Sequence, residues 1–282
     1  MSYEYSAPPI VLIHGLWLTP RSWEGWKERF EARGHQVLTP AWPRMRGEVE
    51  DLRQDPSAMN GLGVTEIVDH YDGVVRGLER PPVIMGHSFG GLFVELLLDR
   101  GLGAAGVAIS PAPIKGVLRV PFAALRAAFP VLSNPFNLKR TVELTPKQFR
   151  YAFTNTMDDD QAKAAYDRYE VPGPGRVIFQ AAFANFNPRA PTKVDFHKDD
   201  RAPLLVMGNT EDHTIPASVS KEAATRLGKS DAVVDYKEYE GRPHFTAGAP
   251  GWEDVADYAL EWAVAATDGS APGGGRSNPA AA

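Results

Sequence analysis

At 282 residues the chain is long for one core and short for two, so one domain carrying an insertion is expected. An apolar share of 43% with 23% charged residues is ordinary for a globular protein, and a net charge of -5 lacks the basic excess of a nucleic-acid binder. The absence of cysteine removes disulfides, a thiolate nucleophile and cysteine metal sites.

Along the chain, short apolar runs bounded by turn residues predict strands at 8–13, 36–39, 82–85, 106–109, 203–207 and 232–239. Helical patterns lie between most of them. Thr19 followed by Pro20 reads as an N-cap with proline in the first turn, opening a helix through Trp23, Trp26 and Phe30. After Val64, residues Ile67, Val68, Tyr71, Val74, Val75 and Leu78 follow helical spacing and give one buried face. A final helix carries Trp252, Val255, Ala259 and Trp262. Strand–helix alternation of this kind predicts an α/β fold with a mainly parallel twisted sheet and helices on both faces.

Residues 113–200 break the rhythm, offering helical patterns and no convincing strand. Leu118, Phe122, Leu125 and Phe129 share a helical stripe, and further helices are predicted over 145–155, 158–170 and 176–186. The expected organisation is a core of 1–112 and 201–268, a helical insertion over 113–200, and a Gly/Pro/Ala-rich disordered tail over 269–282. The N-terminal MSYEYSAPP has neither the basic nor the apolar part of a signal peptide, and no apolar run approaches the ~20 residues of a membrane span. A cytoplasmic protein without a membrane span is expected.

The strand at 82–85 runs into Gly86-His87-Ser88-Phe89-Gly90 and then into an apolar helix. A serine in so tight a strand-to-helix turn is held in a strained backbone conformation, and a Cβ two residues to either side would collide, which selects Gly86 and Gly90. The N–H of Phe89, at the helix start, can meet a developing oxyanion. A serine nucleophile needs a base and an orienting acid. Among seven histidines, His244 lies in the loop between the last strand and the last helix, where such a base belongs; His35, His70 and His197 read as surface or packing residues, and the His87 side chain leaves the strand on the other side from Ser88. For the acid, Glu211 and Asp212 follow the strand at 203–207, whereas 100–142 contains no Asp or Glu at all. His14-Gly15-Leu16-Trp17 ends the first strand and offers the N–H of Leu16 as a second oxyanion donor.

The order His-Gly, Gly-His-Ser-x-Gly-Gly, Gly-x(3)-Asp-x(3)-Pro and a late His-Phe resembles the α/β-hydrolase superfamily over residues 9 to 266, with the helical insertion in the position of its lid. The resemblance implies Ser88 as nucleophile, Asp212 as acid, His244 as base, and Leu16 and Phe89 as oxyanion donors. It implies a serine hydrolase cleaving a carboxylic ester, lactone or thioester of a small to medium apolar substrate. The alternatives are a lyase, C–C hydrolase or cofactor-free oxygenase on the same triad, or a non-catalytic small-molecule-binding module. Trp17, Phe153 and Phe183 are the expected substrate-binding residues. No cofactor or metal is expected, since the histidines lack ligand spacing with acids. Residues 115–150 carry seven basic side chains against Glu143 alone, read as a solvated face, with an acyl-carrier protein as the less expected partner.

Overall fold

The computed structural model describes residues 7–269, so the tail assigned to 269–282 lies almost wholly outside the described residues. Strand β1 is Ile10–Ile13 and β2 is Val37–Leu38, with helix α1 at Glu24–Glu31 between them. Then come α2 (Val49–Gln54), α3 (Val64–Arg76), β3 (Val83–His87), α4 (Phe89–Asp99) and β4 (Ala105–Ile109). The segment that follows contains α5 (Phe122–Leu132), β5 (Thr141–Val142), α6 (Pro146–Phe153), α7 (Asp159–Tyr169), β6 (Gly173–Pro174) and α8 (Gly175–Ala182). The chain returns through β7 (Leu204–Asn209), α9 (Ala217–Leu227), β8 (Val234–Tyr239) and α10 (Trp252–Thr267).

Six of these strands form one parallel sheet in the order β2-β1-β3-β4-β7-β8. All six expected sheet strands are present. The central strands β1, β3, β4 and β7 are buried at every residue, because helices cover both faces and leave no face for polar residues. Alternate side chains of β1 show the division: Ile10 and Leu12 pack with α1 and α10, whereas Val11 and Ile13 pack with α3 and α4. Thr19 caps the turn at Pro20–Trp23 by accepting the Arg21 N–H, and α1 continues from it, burying Trp26 and Phe30.

The chain leaves β1 for an outer neighbour, β2, and then crosses back to β3 on the other side. At such a reversal the loops after adjacent strands separate and open a crevice at the carboxyl end of the sheet. The loops after β1 and β3 hold His14-Gly15-Leu16 and Ser88, so the topology delivers both to the mouth of that crevice.

The segment after β4 differs from expectation in one feature. It contains the antiparallel pair β5–β6, only two residues long on each side and too short to leave a period in the sequence. The stripe of Leu118, Phe122, Leu125 and Phe129 faces outward, and the buried residues of α5 are Ala127 and Val131. Helical spacing marks a face but not what lies opposite it.

Candidate active site

Ser88 sits between β3 and α4 with φ of 57° and ψ of -119°, a left-handed conformation that costs a non-glycine residue on the order of 1–3 kcal/mol. The flanking glycines are what permits it. A Cβ on Gly86 would lie well within 3.0 Å of the Gly90 carbonyl, and one on Gly90 would strike the Ile13 carbonyl of β1. Gly15 meets Ser88 in the same way, since its Cβ would come 2.9 Å from that of Ser88. Backbone from β1 and α4 therefore approaches the serine turn more closely than side chains allow.

His244 and Asp212 form a buried pair, with His244 Nδ1 2.6 Å from Asp212 Oδ2. The other carboxylate oxygen accepts the N–H groups of Thr214 at 2.8 Å and Ile215 at 2.6 Å. Three donors thus fix the carboxylate. It can only accept, so the imidazole proton lies on Nδ1 and Nε2 keeps its lone pair. That Nε2 is buried and has no hydrogen-bond partner. Glu211, the neighbouring acid, is exposed and points away, its carbonyl accepting from Asn155 at 3.0 Å.

The end of α6 clamps both loops. The Phe153 carbonyl accepts the Phe245 N–H at 2.9 Å, the Ala152 carbonyl accepts the Thr214 hydroxyl at 2.6 Å, and the Tyr151 carbonyl lies 3.0 Å from His213 Nδ1. These carbonyls are the orphans that any helix end leaves for outside donors. The ring of Phe153 packs edge-on against His244 with centroids 4.9 Å apart, and stacks flat on Phe149.

Sequence reasoning missed two histidines. His87 Nε2 lies 2.7 Å from the His244 carbonyl oxygen, and the two rings are 4.6 Å apart. A carbonyl only accepts, so His87 donates from Nε2; burial, with the charge of His244 adding to it, holds its pKa well below the usual histidine range. The neutral ring thus ties the end of β3 to the loop that carries His244. His14 is also buried, which lowers its pKa to about 4. Its Nδ1 donates to the Gly15 carbonyl at 2.9 Å, its Nε2 faces the Trp42 N–H at 3.4 Å, and its ring stacks on Trp42. In a trans peptide the C=O and N–H point in opposite directions. Holding the Gly15 carbonyl back toward His14 therefore turns the Leu16 N–H the other way. A buried polar residue at a strand tip, in both His14 and His87, was the available signal.

A cavity of about 170 Å3 opens over Ser88 and Phe89. Its walls come from the loop after β4, from α5 and α8, and from Ile215 and Val219 beyond the loop that carries Asp212; Ser88, Arg119, Asn185 and Thr214 are its polar lining residues. Trp17 lines it. Phe153 and Phe183 do not: Phe153 is held behind the wall in the stack with Phe149 and His244, and Phe183 lies half exposed at the end of α8. Among the described residues no cluster of three or more His, Asp or Glu side chains could hold a metal ion, and no helix is long and apolar enough to cross a membrane.

Solved structures share this arrangement of elements at low identity, which is a likeness of fold. A monoacylglycerol lipase from Paleococcus ferrophilus superposes with a TM-score of 0.62 at 20% identity, covering 92% of this chain and 96% of its own. An extracellular alpha/beta-hydrolase from a Paenibacillus species, described as sharing structural and functional homology with tobacco salicylic acid binding protein 2, gives 0.63 at 19%, covering 90% and 98%. A putative non-heme bromoperoxidase from Mycobacterium tuberculosis gives 0.65 at 19%, covering 93% and 94%. No curated protein matches the sequence. The model of the Alpha/beta hydrolase family matches residues 10–259, nearly the whole span from β1 to α10, and the chain belongs to that family of enzymes.

Proposed function

We infer that this α/β-hydrolase cleaves carboxylic esters of small to medium apolar substrates through Ser88, His244 and Asp212. The observation that carries the reading is the buried 2.6 Å His244–Asp212 pair, whose Nε2 is left without a partner, together with a strained serine that lines an apolar cavity. The ester enters with its acyl part against α5 and α8 and its carbonyl over Ser88. Nε2 takes the hydroxyl proton as Oγ bonds to the carbonyl carbon, and the Leu16 and Phe89 N–H groups receive the negative oxygen. Collapse breaks the C–O bond, and the leaving alkoxide takes the proton from Nε2. Water then repeats the sequence on the acyl-enzyme and releases the acid. In this reading segment 113–200 is the lid, and its α6 end positions the acid and base loops. Cavities of roughly 150 Å3 accept a benzene ring, so the space here suits a short acyl or aryl group. The lipase among the structural neighbours acts on a related class of ester.

The test is a panel of p-nitrophenyl esters and lactones of increasing chain length, with fluorophosphonate labelling, on the native protein and Ser88→Ala. The expected result is labelling of the native protein alone and a loss of hydrolysis by several orders of magnitude in the variant. Hydrolysis by Ser88→Ala within tenfold of native would overturn the assignment.

A further inference from the structure

The described surface carries one apolar concentration, most of it outside the cavity. All the large exposed hydrophobic residues except Val233 and Tyr258 fall between positions 118 and 186. Leu118, Val120, Phe122, Leu125, Phe129 and Phe186 are between 49% and 84% exposed. Phe122, Leu125 and Phe129 share one face of α5 at spacings of three and four. Phe186 is brought beside Leu118 by Asn185, whose side chain donates to the Val117 carbonyl at 2.7 Å and accepts the Gly116 N–H at 2.7 Å. Val120, Leu125 and Asn185 also line the cavity, so the patch adjoins the cavity at those three residues, while Leu118, Phe122, Phe129 and Phe186 lie outside its lining. Patches of this extent on a monomer mark a contact surface.

Charge identifies the occupant. The whole chain is net negative, yet residues 115–150 hold seven cations and one anion. Lys115 donates to the Asn187 carbonyl, Arg126 stacks on Tyr151 and Arg150 pairs with Asp159. Arg119, Lys139, Arg140 and Lys147 are exposed and pair with no carboxylate among the described residues. A second copy of the chain would set these cations against their own equivalents. A lipid bilayer with anionic headgroups supplies both complements, acyl chains for the phenylalanines and negative charge for the cations.

We propose that the α5 face docks this protein on anionic bilayers and that the cavity opens directly into the docked surface. The phenylalanines enter the headgroup boundary, and each unpaired cation strengthens partitioning roughly fivefold. An apolar ester then passes from bilayer to cavity without crossing water. That delivery step rests on the ester-hydrolase reading; the docking does not.

The test is co-sedimentation of the full chain with vesicles of phosphatidylcholine alone or mixed equally with phosphatidylglycerol, at low and high salt. The expected result is at least tenfold tighter binding to the mixed vesicles, weakened by salt. Phe122→Ser/Phe129→Ser should lose at least tenfold on both vesicle types, and Lys139→Glu/Arg140→Glu should lose the preference for the mixed ones. Neither pair lines the cavity, so melting temperature and hydrolysis of a water-soluble short ester should stay at the native level. Ser88→Ala should bind vesicles like the native protein, which separates failure of docking from failure of the ester-hydrolase reading. Equal binding by the phenylalanine variant, or no binding to either vesicle, would overturn the proposal. So would a dimer in light scattering that this variant dissociates, since the face would then belong to a second copy.

Discussion

Replacing Asp212 by asparagine tests the proposed role of the acid with almost no change of shape. The native carboxylate takes two backbone donors on Oδ1 and the His244 Nδ1 on Oδ2. An asparagine has one accepting oxygen. If that oxygen keeps the Thr214 and Ile215 N–H groups, the amide NH2 faces Nδ1, which must then accept. The imidazole proton moves to Nε2, the atom that has to receive the serine proton. If the amide flips, the correct tautomer survives but the half-buried Thr214 N–H and the buried Ile215 N–H lose their acceptor, at about 1–3 kcal/mol each. That flipped route, the one that leaves Nε2 able to accept, costs about 2–6 kcal/mol, and loss of the negative charge beside the imidazolium adds to it. At 1.36 kcal/mol per decade the expected loss in kcat/KM is on the order of 10⁴. The assay is initial-rate hydrolysis of a short p-nitrophenyl ester, with circular dichroism to establish the fold. Glu211→Gln, at an exposed side chain, should stay within about tenfold. An Asp212→Asn enzyme within tenfold of native, or a larger loss in Glu211→Gln, would refute the reasoning.

His14→Leu should lower kcat by roughly 10–100-fold with KM changed less than about threefold, because the Leu16 N–H loses its orientation while the cavity keeps its walls. His14→Asn, whose amide can replace the Nδ1 donor to Gly15, should recover most of the loss; a change confined to KM would exclude this role. Glu170 gives a prediction on stability. Burial, opposed by the Leu144 N–H and aided by the charge of Glu143, raises its pKa to about 7. The folded state therefore keeps a proton that the unfolded chain releases near 4.5, so stability falls as pH rises from about 4.5 through 7, by about 3 kcal/mol in all. Glu170→Gln keeps an acceptor for Leu144, and its advantage over native in urea melts should be near zero at pH 4.5 and grow to pH 8; a pH-independent difference would refute the assignment.

The sheet was legible because its central strands are buried on both faces, which leaves continuous apolar runs between turn residues. Gly86 and Gly90 were legible because backbone collision is a local requirement, visible in the spacing alone. The direction of the Leu118–Phe129 stripe was not legible for a physical reason: 118–129 has a helical period, but the sequence does not say whether that face meets the sheet or solvent. The α6 clamp left no trace either. It uses main-chain carbonyls, which every residue possesses. The His87 contact spans 157 positions, and nothing within the serine motif points to the His244 carbonyl.

Three imidazoles are buried at this site, and their partners separate them chemically. His14 has both ring nitrogens engaged, one donating to Gly15 and one facing Trp42, and burial keeps it neutral down to about pH 4. His87 has a free Nδ1, but its other nitrogen meets a carbonyl, and burial lowers its pKa well below the usual range. Protonating it would place a cation in the interior with no carboxylate to receive it, which costs several kcal/mol. Only His244 joins an open nitrogen to a carboxylate that can stabilise the cation formed when a proton arrives. In the proposed triad, a proton leaving Ser88 therefore has one favourable destination. On that proposal the two neutral histidines serve the transfer by holding still what surrounds it: His87 the backbone of His244, and His14 the peptide that carries the Leu16 N–H.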